Sequence, residues 1–274
     1  MNDKKERSYV GIMVCEKPFS PPFSDQLFYS RLCRIGYKLG IFVFVFFPNR
    51  LNVEEKSVKG YTLLPGQQAW VEDCFPLPQV VYDRCFYTNK ISYAQYRDSI
   101  RKLKGNPDIR FLGYGLKGKW NVHQMLMRHE SIRSSLPETK KLLNRQVLRN
   151  EFIRRGTLIL KPESGSQGKG VLLLTREGDR YKLMGRNLQN EPIERTFATE
   201  RVMHQWLSAF ISGRSYLIQP YLLLNTRDGD PFDVRCLMQK NRKGVWEVAG
   251  TAVRRGKAGS ITSNLSGGGV AQEL

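Results

Sequence analysis

The sequence predicts an α/β (α+β) fold in two domains: a small N-terminal βαβ domain over residues 1–115 and a second domain over residues 116–274. Three observations carry this expectation. Apolar runs of strand length alternate with helix-period segments through the first part of the chain. Glycine-rich punctuation at Gly105-Asn106-Pro107 and from Gly113-Tyr114-Gly115 to Gly118 then breaks the pattern. Beyond it, strand-like runs flank two further glycine-rich loops.

Tyr9 to Cys15 reads as a first strand and Ile41 to Phe47 as a second. Between them Ser24 is placed to cap a helix with Phe28, Leu32, Ile35 and Leu39 on its apolar face, and Gly40 is placed to end it. Both strand runs are continuously apolar, which favours a parallel sheet covered on both faces. Val80-Val81-Tyr82 predicts a third strand, and Ser92 opens a helix carrying Tyr93, Tyr96, Ile100 and Leu103. In the second domain helices are predicted near Asn121 to Arg128, over Thr139 to Arg155, and over Thr199 to Ile211 with Val202, Trp206, Ala209 and Phe210 inward. Strands are expected on both sides of the first glycine loop, over Ser215 to Leu224, and as a hairpin of Phe232 to Gln239 with Val245 to Val253.

The chain has 274 residues, of which 41% are hydrophobic and 11% aromatic, enough to bury a sizeable core. Its longest apolar run, Ile41 to Phe47, falls far short of the roughly 18 residues that span a bilayer, so no membrane segment is expected. The start, Met1 to Arg7, is charged and lacks a signal-peptide core, and a cytoplasmic protein is expected. Five cysteines are scattered without a C-x-x-C pair, which predicts reduced thiols rather than a disulfide framework or a zinc site. The three histidines, His123, His129 and His204, have no partners at metal spacing. A net charge of +19 points toward polyanions without choosing among them. The densest basic stretch, Lys140 to Arg155, is amphipathic, and a solvated helix face accounts for it better than a nucleic-acid surface, because no nucleic-acid module signature accompanies it.

The most informative segment is Lys161-Pro162-Glu163-Ser164-Gly165-Ser166-Gln167-Gly168-Lys169-Gly170, between two apolar runs. Glycines at this density let a backbone turn its N–H groups onto an anion. An ordinary hairpin with a flexible tip is the alternative, and spacing alone does not choose. A P-loop is excluded, since Gly168-Lys169 is followed by Gly170 and a strand-like run. Further along, Gln219-Pro220-Tyr221-Leu222 ends an apolar strand. Asp233 and Arg235 share one face of another, because side chains alternate with period two. Asp233 suits ribose hydroxyls or a metal, and Arg235 suits phosphate or carboxylate, while a cross-strand ion pair explains both more plainly. A second glycine-rich loop runs from Arg254-Arg255 through Thr262-Ser263-Asn264 to Gly269; a disordered tail is its alternative.

In this order these features resemble the ATP-grasp superfamily, in its peptide-ligase and glutathione-synthetase branches. Gly11-Ile12-Met13-Val14, the segment Phe75 to Arg84, Lys119-Trp120, Leu136-Pro137-Glu138-Thr139 and the Gly259 to Ser266 loop resemble the YheC/YheD family of endospore coat-associated ATP-grasp proteins. The resemblance covers nearly the whole chain. It implies a pre-ATP-grasp-like domain followed by an ATP-grasp-like nucleotide-binding domain, with ATP and magnesium as cofactors. Lys119 and Lys161 would hold the phosphates, and Ser164, Gly165, Ser166, Gly168 and Gly170 would close over them. Gln219, Pro220, Tyr221 and Leu222 would line the adenine pocket, with Asp233 near the ribose. Thr262, Ser263 and Asn264 would reach the phosphates, with Arg235, Arg254 and Asn264 as the catalytic set. The implied chemistry is ligation of unknown carboxylate and amine or thiol substrates through an acylphosphate.

The family places an aspartate and then a Glu-x-Asn downstream of the Ser-Asn-Leu loop to hold magnesium. This sequence ends ten residues after Asn264 without such a pair, so an ATP-grasp domain lacking its C-terminal metal-ligand segment is expected. The related peptide ligases also carry arginines where Thr262 and Gly267 stand. Two other readings stay open: a catalytically inactive structural component of the spore coat that meets acidic coat partners, and a basic nucleic-acid-binding protein.

Overall fold

Runs of consecutive buried residues along Ser8–Met13 (β1) and Ile41–Asn52 (β2) build the first sheet. A computed structural model of the protein describes residues 8–87, 90–113 and 115–273. Met1 to Arg7, Tyr114 and Leu274, each part of an expectation above, lie outside the described residues. The chain divides into two compact units, Met1–Gly115 and Leu116–Leu274.

In the first unit, β1 and β2 are parallel, with Tyr9 opposite Phe42 and Met13 opposite Phe46. The crossover is the helix Gln26–Lys38 (α1). Ser57–Thr62 (β3) and Val71–Pro76 (β4), which the sequence did not reveal, add antiparallel beyond β2. Val80–Asp83 (β5) adds parallel on the other side of β1; the helix Lys90–Gly105 (α2) then leads to Arg110–Phe111 (β6), parallel to β5. The strand order is β4-β3-β2-β1-β5-β6. Successive residues of β1 and β2 point to opposite faces. Ile12, Val43, Val45 and Phe47 therefore pack with Phe23, Tyr29 and Cys33 on the α1 side. Met13, Phe44 and Phe46 pack with Tyr96, Ile100 and Leu103 on the α2 side.

Helix α1 corrects two expectations. Asp25, not Ser24, occupies the N-cap, and the buried face is Tyr29, Ser30, Cys33 and Gly36. Phe28, Ile35 and Leu39 are exposed. The reason is close approach: a Cβ at Gly36 would overlap Val43, so this glycine stripe is where the helix can lie tightly on the sheet. On α2, Tyr96, Ile100 and Leu103 are buried as expected, whereas Tyr93 is exposed; Ser92 lies inside the helix rather than before it.

The second unit begins with helices Lys119–Leu126 (α3) and Glu130–Arg133 (α4) and the short strand Lys140–Lys141 (β7). The helix Arg145–Arg155 (α5) starts at Asn144, whose side chain accepts from the Val147 N–H at 3.0 Å. The predicted start at Thr139 was too early because Lys140 and Lys141 pair as a strand. Leu158–Pro162 (β8), Leu172–Glu177 (β9), Arg180–Arg186 (β10) and Pro192–Phe197 (β11) follow, the last two not anticipated. Then come Glu200–Ile211 (α6), Tyr216–Pro220 (β12), Phe232–Lys240 (β13), Trp246–Arg255 (β14) and Val270–Gln272 (β15). One sheet has the order β11-β10-β9-β8-β12-β7, the other β13-β14-β15. Leu148 and Phe152 of α5 and Met203 and Leu207 of α6 cover Leu158, Leu160, Leu172, Leu174 and Ile218 of the first sheet. On α6 the inward face is Met203, His204 and Leu207, with Val202 exposed, one step round from the predicted stripe.

The basic stretch around α5 is spent on ion pairs. Lys140, Arg154 and Arg155 converge on the buried Glu151. Burial pushes the Glu151 carboxyl up, but these three hydrogen bonds outweigh it and hold it at about 2. Arg145 and Arg149 reach Glu200 at 3.4 and 3.6 Å. This stretch is therefore matched by carboxylates rather than presented as an unpaired cationic face. No helix among the described residues is long and apolar enough to cross a membrane.

Candidate functional site

Strand β8 sets the site by alternation. Leu158, Leu160 and Pro162 are buried in the core, which turns Ile159 and Lys161 toward the opposite face. There they line a cleft of about 750 Å³, within the range of small-molecule and cofactor sites. The lining includes Lys119, Lys161, Gly165, Ser166 and Gly168; Gln219, Pro220, Tyr221 and Leu222; and Asp233, Arg235, Arg254, Thr262, Ser263 and Asn264. Residues far apart in sequence and singled out on separate grounds are thus brought to one place. Ser164 and Gly170 do not line it. Ser164 sits exposed where the chain leaves β8, and the buried Gly170 accepts at its carbonyl from the Tyr216 hydroxyl at 3.1 Å, which pins the loop's base.

Between them the loop is shaped for close approach. Gly165, Gln167 and Gly168 all have positive φ, at 116°, 63° and 76°. The N–H groups of Gly165, Ser166, Gln167 and Gly168 donate to no other group among the described residues, so they stay available at the tip. The loop meets the second glycine-rich loop directly: a Cβ at Gly168 would overlap the Asn264 side-chain amide. That second loop is ordered by its own contacts. The Arg186 guanidinium donates to the Gly267 carbonyl at 2.8 Å, and the Asn190 amide to the Ser266 carbonyl at 2.7 Å.

Electrostatically the cleft is lopsided. Among the described lining residues five basic side chains (Lys119, Lys161, Lys169, Arg235 and Arg254) face one carboxylate, Asp233. That carboxylate is already committed. Arg254, opposite it across β13 and β14, donates two hydrogen bonds; Ser263 adds one at 2.7 Å, and Arg235 lies at 3.3 Å. Arg254, with help from Ser263 and Arg235, holds the Asp233 carboxyl down at about 2. Arg255 turns away to Asp230 and Asp228. Lys119, Lys161 and Lys169 have no carboxylate partner among the described residues. The Lys119 ammonium donates only to the carbonyls of Pro162 and Gly165, both at 2.9 Å. Burial lowers the pKa of Lys119, and burial together with the Lys119 charge lowers that of Lys161. Burial and the Lys161 charge lower His123 as well. Lysines with depressed pKa values and no carboxylate partner, lining one cleft with backbone N–H groups that donate to nothing else, are chemically suited to an anion.

Strand β12 leaves its ladder after Pro220, whose partner is Leu158, and Tyr221 and Leu222, just beyond it, line the cleft. The Gln219 side chain is occupied, donating to the Thr139 hydroxyl at 2.6 Å. Thr139 was not foreseen as a site residue; nothing in its sequence context signals a contact across that separation. Ile159 was also missed, though its position two residues before Lys161 on a strand places it on the same face.

A family model described as YheC/D-like ATP-grasp matches residues 108–274. The chain belongs to the YheC/D-like ATP-grasp family. It is 30% identical over 259 residues to the endospore coat-associated protein YheC of Bacillus subtilis (strain 168), covering 94% of this chain and 69% of that protein. It is 28% identical over 261 residues to YheD of the same strain, covering 92% of this chain but only 56% of YheD. Among solved structures it is similar to a Chryseobacterium gregarium RiPP-associated ATP-grasp ligase in complex with ADP and a leader and core peptide. That likeness has a TM-score of 0.50 at 10% identity and covers 97% of this chain and 77% of the ligase. At that identity it speaks for the fold alone, and the YheC/D-like chain has an ATP-grasp fold.

Proposed function

We propose that the cleft binds ATP, with Lys119, Lys161 and the amides of Gly165 to Gly168 on the phosphates and the Tyr221-Leu222 backbone at the adenine edge. The observation that carries this reading is the pair of lysines that are desolvated, mutually repelling and without carboxylates. A triphosphate supplies the missing negative charge. The cradle also fits in shape, since the loop tip has positive φ at Gly165, Gln167 and Gly168 and unspent N–H groups.

Magnesium fits less well. Among the described residues no group of three or more His, Cys, Asp or Glu is placed to hold a metal, and Asp233, with its acceptors given to Arg254 and Ser263, is poorly suited to join one. Lys161 and Arg254 are aimed where charge develops as a phosphoryl group passes to a substrate carboxylate, and an amine or thiol then displaces phosphate. Such catalysis rests on positioning and fixed cations. Asp233 acts through Arg254 and Ser263, as a positioning residue.

The test is calorimetric titration of ATP, with and without magnesium, into the native chain and Lys161→Ala. Unchanged affinity in the variant would remove the assignment. By its likeness to the endospore coat-associated proteins YheC and YheD, the chain is proposed to associate with the spore coat, and the +19 charge makes acidic coat components the partners expected.

A further inference from the structure

The cysteines, unpaired by any sequence spacing, include two that the first sheet brings together. Strands β1 and β5 are parallel neighbours with Met13 opposite Asp83, and the Arg84 N–H continues the ladder to the Met13 carbonyl at 2.8 Å. Two residues past that register lie Cys15 and Cys85. Neighbouring strands run about 4.8 Å apart, inside the roughly 4.4–6.8 Å between Cα atoms that a disulfide spans. The side chains meet as that spacing requires: Cys85 packs against the core group that contains Cys15.

Their place in the topology makes the pair reachable. From β1 the crossover runs through α1 to β2 on one side, and from β5 through α2 to β6 on the other. The strand order reverses between β1 and β5, and crevices in open α/β sheets form at the carboxyl ends of strands at such a point. Cys15 is buried there and Cys85 partly exposed. The neighbouring Cys85 thiol, with the Lys17 charge, holds the Cys15 thiol below its usual range, which favours the thiolate that exchange chemistry needs. None of the other three has such a neighbour. Cys33 is buried with its Sγ directed at the Val43 carbonyl at 3.4 Å, and Cys74 and Cys236 are exposed on other strands.

We propose that Cys15 and Cys85 form a reversible dithiol–disulfide pair, a site of oxidative modification at the switch point of the first unit. With a low-molecular-weight disulfide as oxidant, one thiolate of the pair attacks a sulfur of the small molecule. The S–S bond of that molecule breaks, a mixed disulfide forms and one small thiol leaves. The second cysteine then attacks the protein sulfur of the mixed disulfide and expels the other small thiol. The two protein S–H protons end on the two released thiols; the protein is oxidised by two electrons and the small disulfide reduced by two.

The test is to equilibrate the reduced, full chain with oxidised glutathione, count free thiols with a maleimide, and map unreduced peptides by mass spectrometry. Two of the five thiols are expected to disappear, with a cross-link between the peptides holding Cys15 and Cys85, and reduction restores all five. Because Cys15→Ser alters a buried position, the double variant Cys74→Ser/Cys236→Ser gives the second measurement: two of its three remaining thiols are lost, through the same cross-link. Full retention of thiols, a glutathione adduct without the internal bond, or a cross-link using another cysteine each overturns the proposal.

Discussion

Replacing Lys161 with methionine separates what the cleft does for a ligand from what it costs the fold. In the free protein Lys161 is a largely desolvated cation beside a second cation, Lys119, and both effects lower its pKa below 10.5. A methionine of similar length removes that charge while keeping an unbranched side chain of comparable reach. The free variant is therefore expected to be more stable, by about 0.5–2 kcal/mol, the usual gain when a strained site residue is made bland. For a domain of this size that is roughly 2–4 °C in Tm per kcal/mol. Toward a triphosphate the sign reverses. Loss of a hydrogen bond to a charged group costs about 1.5–3 kcal/mol, or about 10- to 150-fold in Kd. At ATP one hundred times the native Kd, the native chain gains about 2.7 kcal/mol from binding, and at the same concentration the variant gains about 0.3–1.4 kcal/mol. Thermal unfolding with and without ATP reads both quantities. A variant that melts lower than the native chain when free, and is stabilised by ATP as much, would refute both the electrostatic account of the lysines and the nucleotide site.

Four further outcomes follow from the same geometry. Gly168→Ala has to hold a left-handed φ of 76°, which costs roughly 1–2 kcal/mol for a residue with a Cβ, and it displaces Asn264; weaker ATP binding is expected, with faster protease cleavage of the glycine-rich loop 164–170, the flap of the proposed site. Lys119 and Lys161 have depressed pKa values that an anion would restore, so ATP binding takes up protons and weakens as pH rises toward 10.5; calorimetry in buffers of different ionisation enthalpy measures the uptake. The Asp233 carboxyl is held at about 2, below its ordinary 3.8, so its stabilising contribution is complete above about pH 4 and lost as pH falls through 2. Asp233→Asn flattens that part of the acid unfolding curve and loosens the 254–269 loop to hydrogen exchange. Glu151→Gln leaves Lys140, Arg154 and Arg155 with Glu138 as their remaining shared anion, and is expected to cost roughly 1.5 kcal/mol in urea unfolding.

How much of this was legible in the sequence depended on whether a local rule or a tertiary contact decided each feature. The parallel β1 and β2 were readable because continuous apolar runs mean burial on both faces. Strands β3 and β4 were not: the interior strand Ser57–Thr62 carries Ser57, Lys59 and Gly60 and the edge strand Val71–Pro76 carries Glu72 and Asp73, so the apolar run that marks a strand is faint in both. Helix positions were readable, but their buried faces were not. On α1 a sum of hydrophobicity favours Phe28, Ile35 and Leu39, yet the face that can approach the sheet is the one carrying Gly36, since a bulkier residue there overlaps Val43. In the cleft, Lys161 and the flap were visible as local pattern. The commitment of Asp233 to Arg254 and Ser263 was not, because it depends on the register of β13 against β14 and on a loop thirty residues away. The same register logic, applied to β1 and β5, is what turns two scattered cysteines into neighbours.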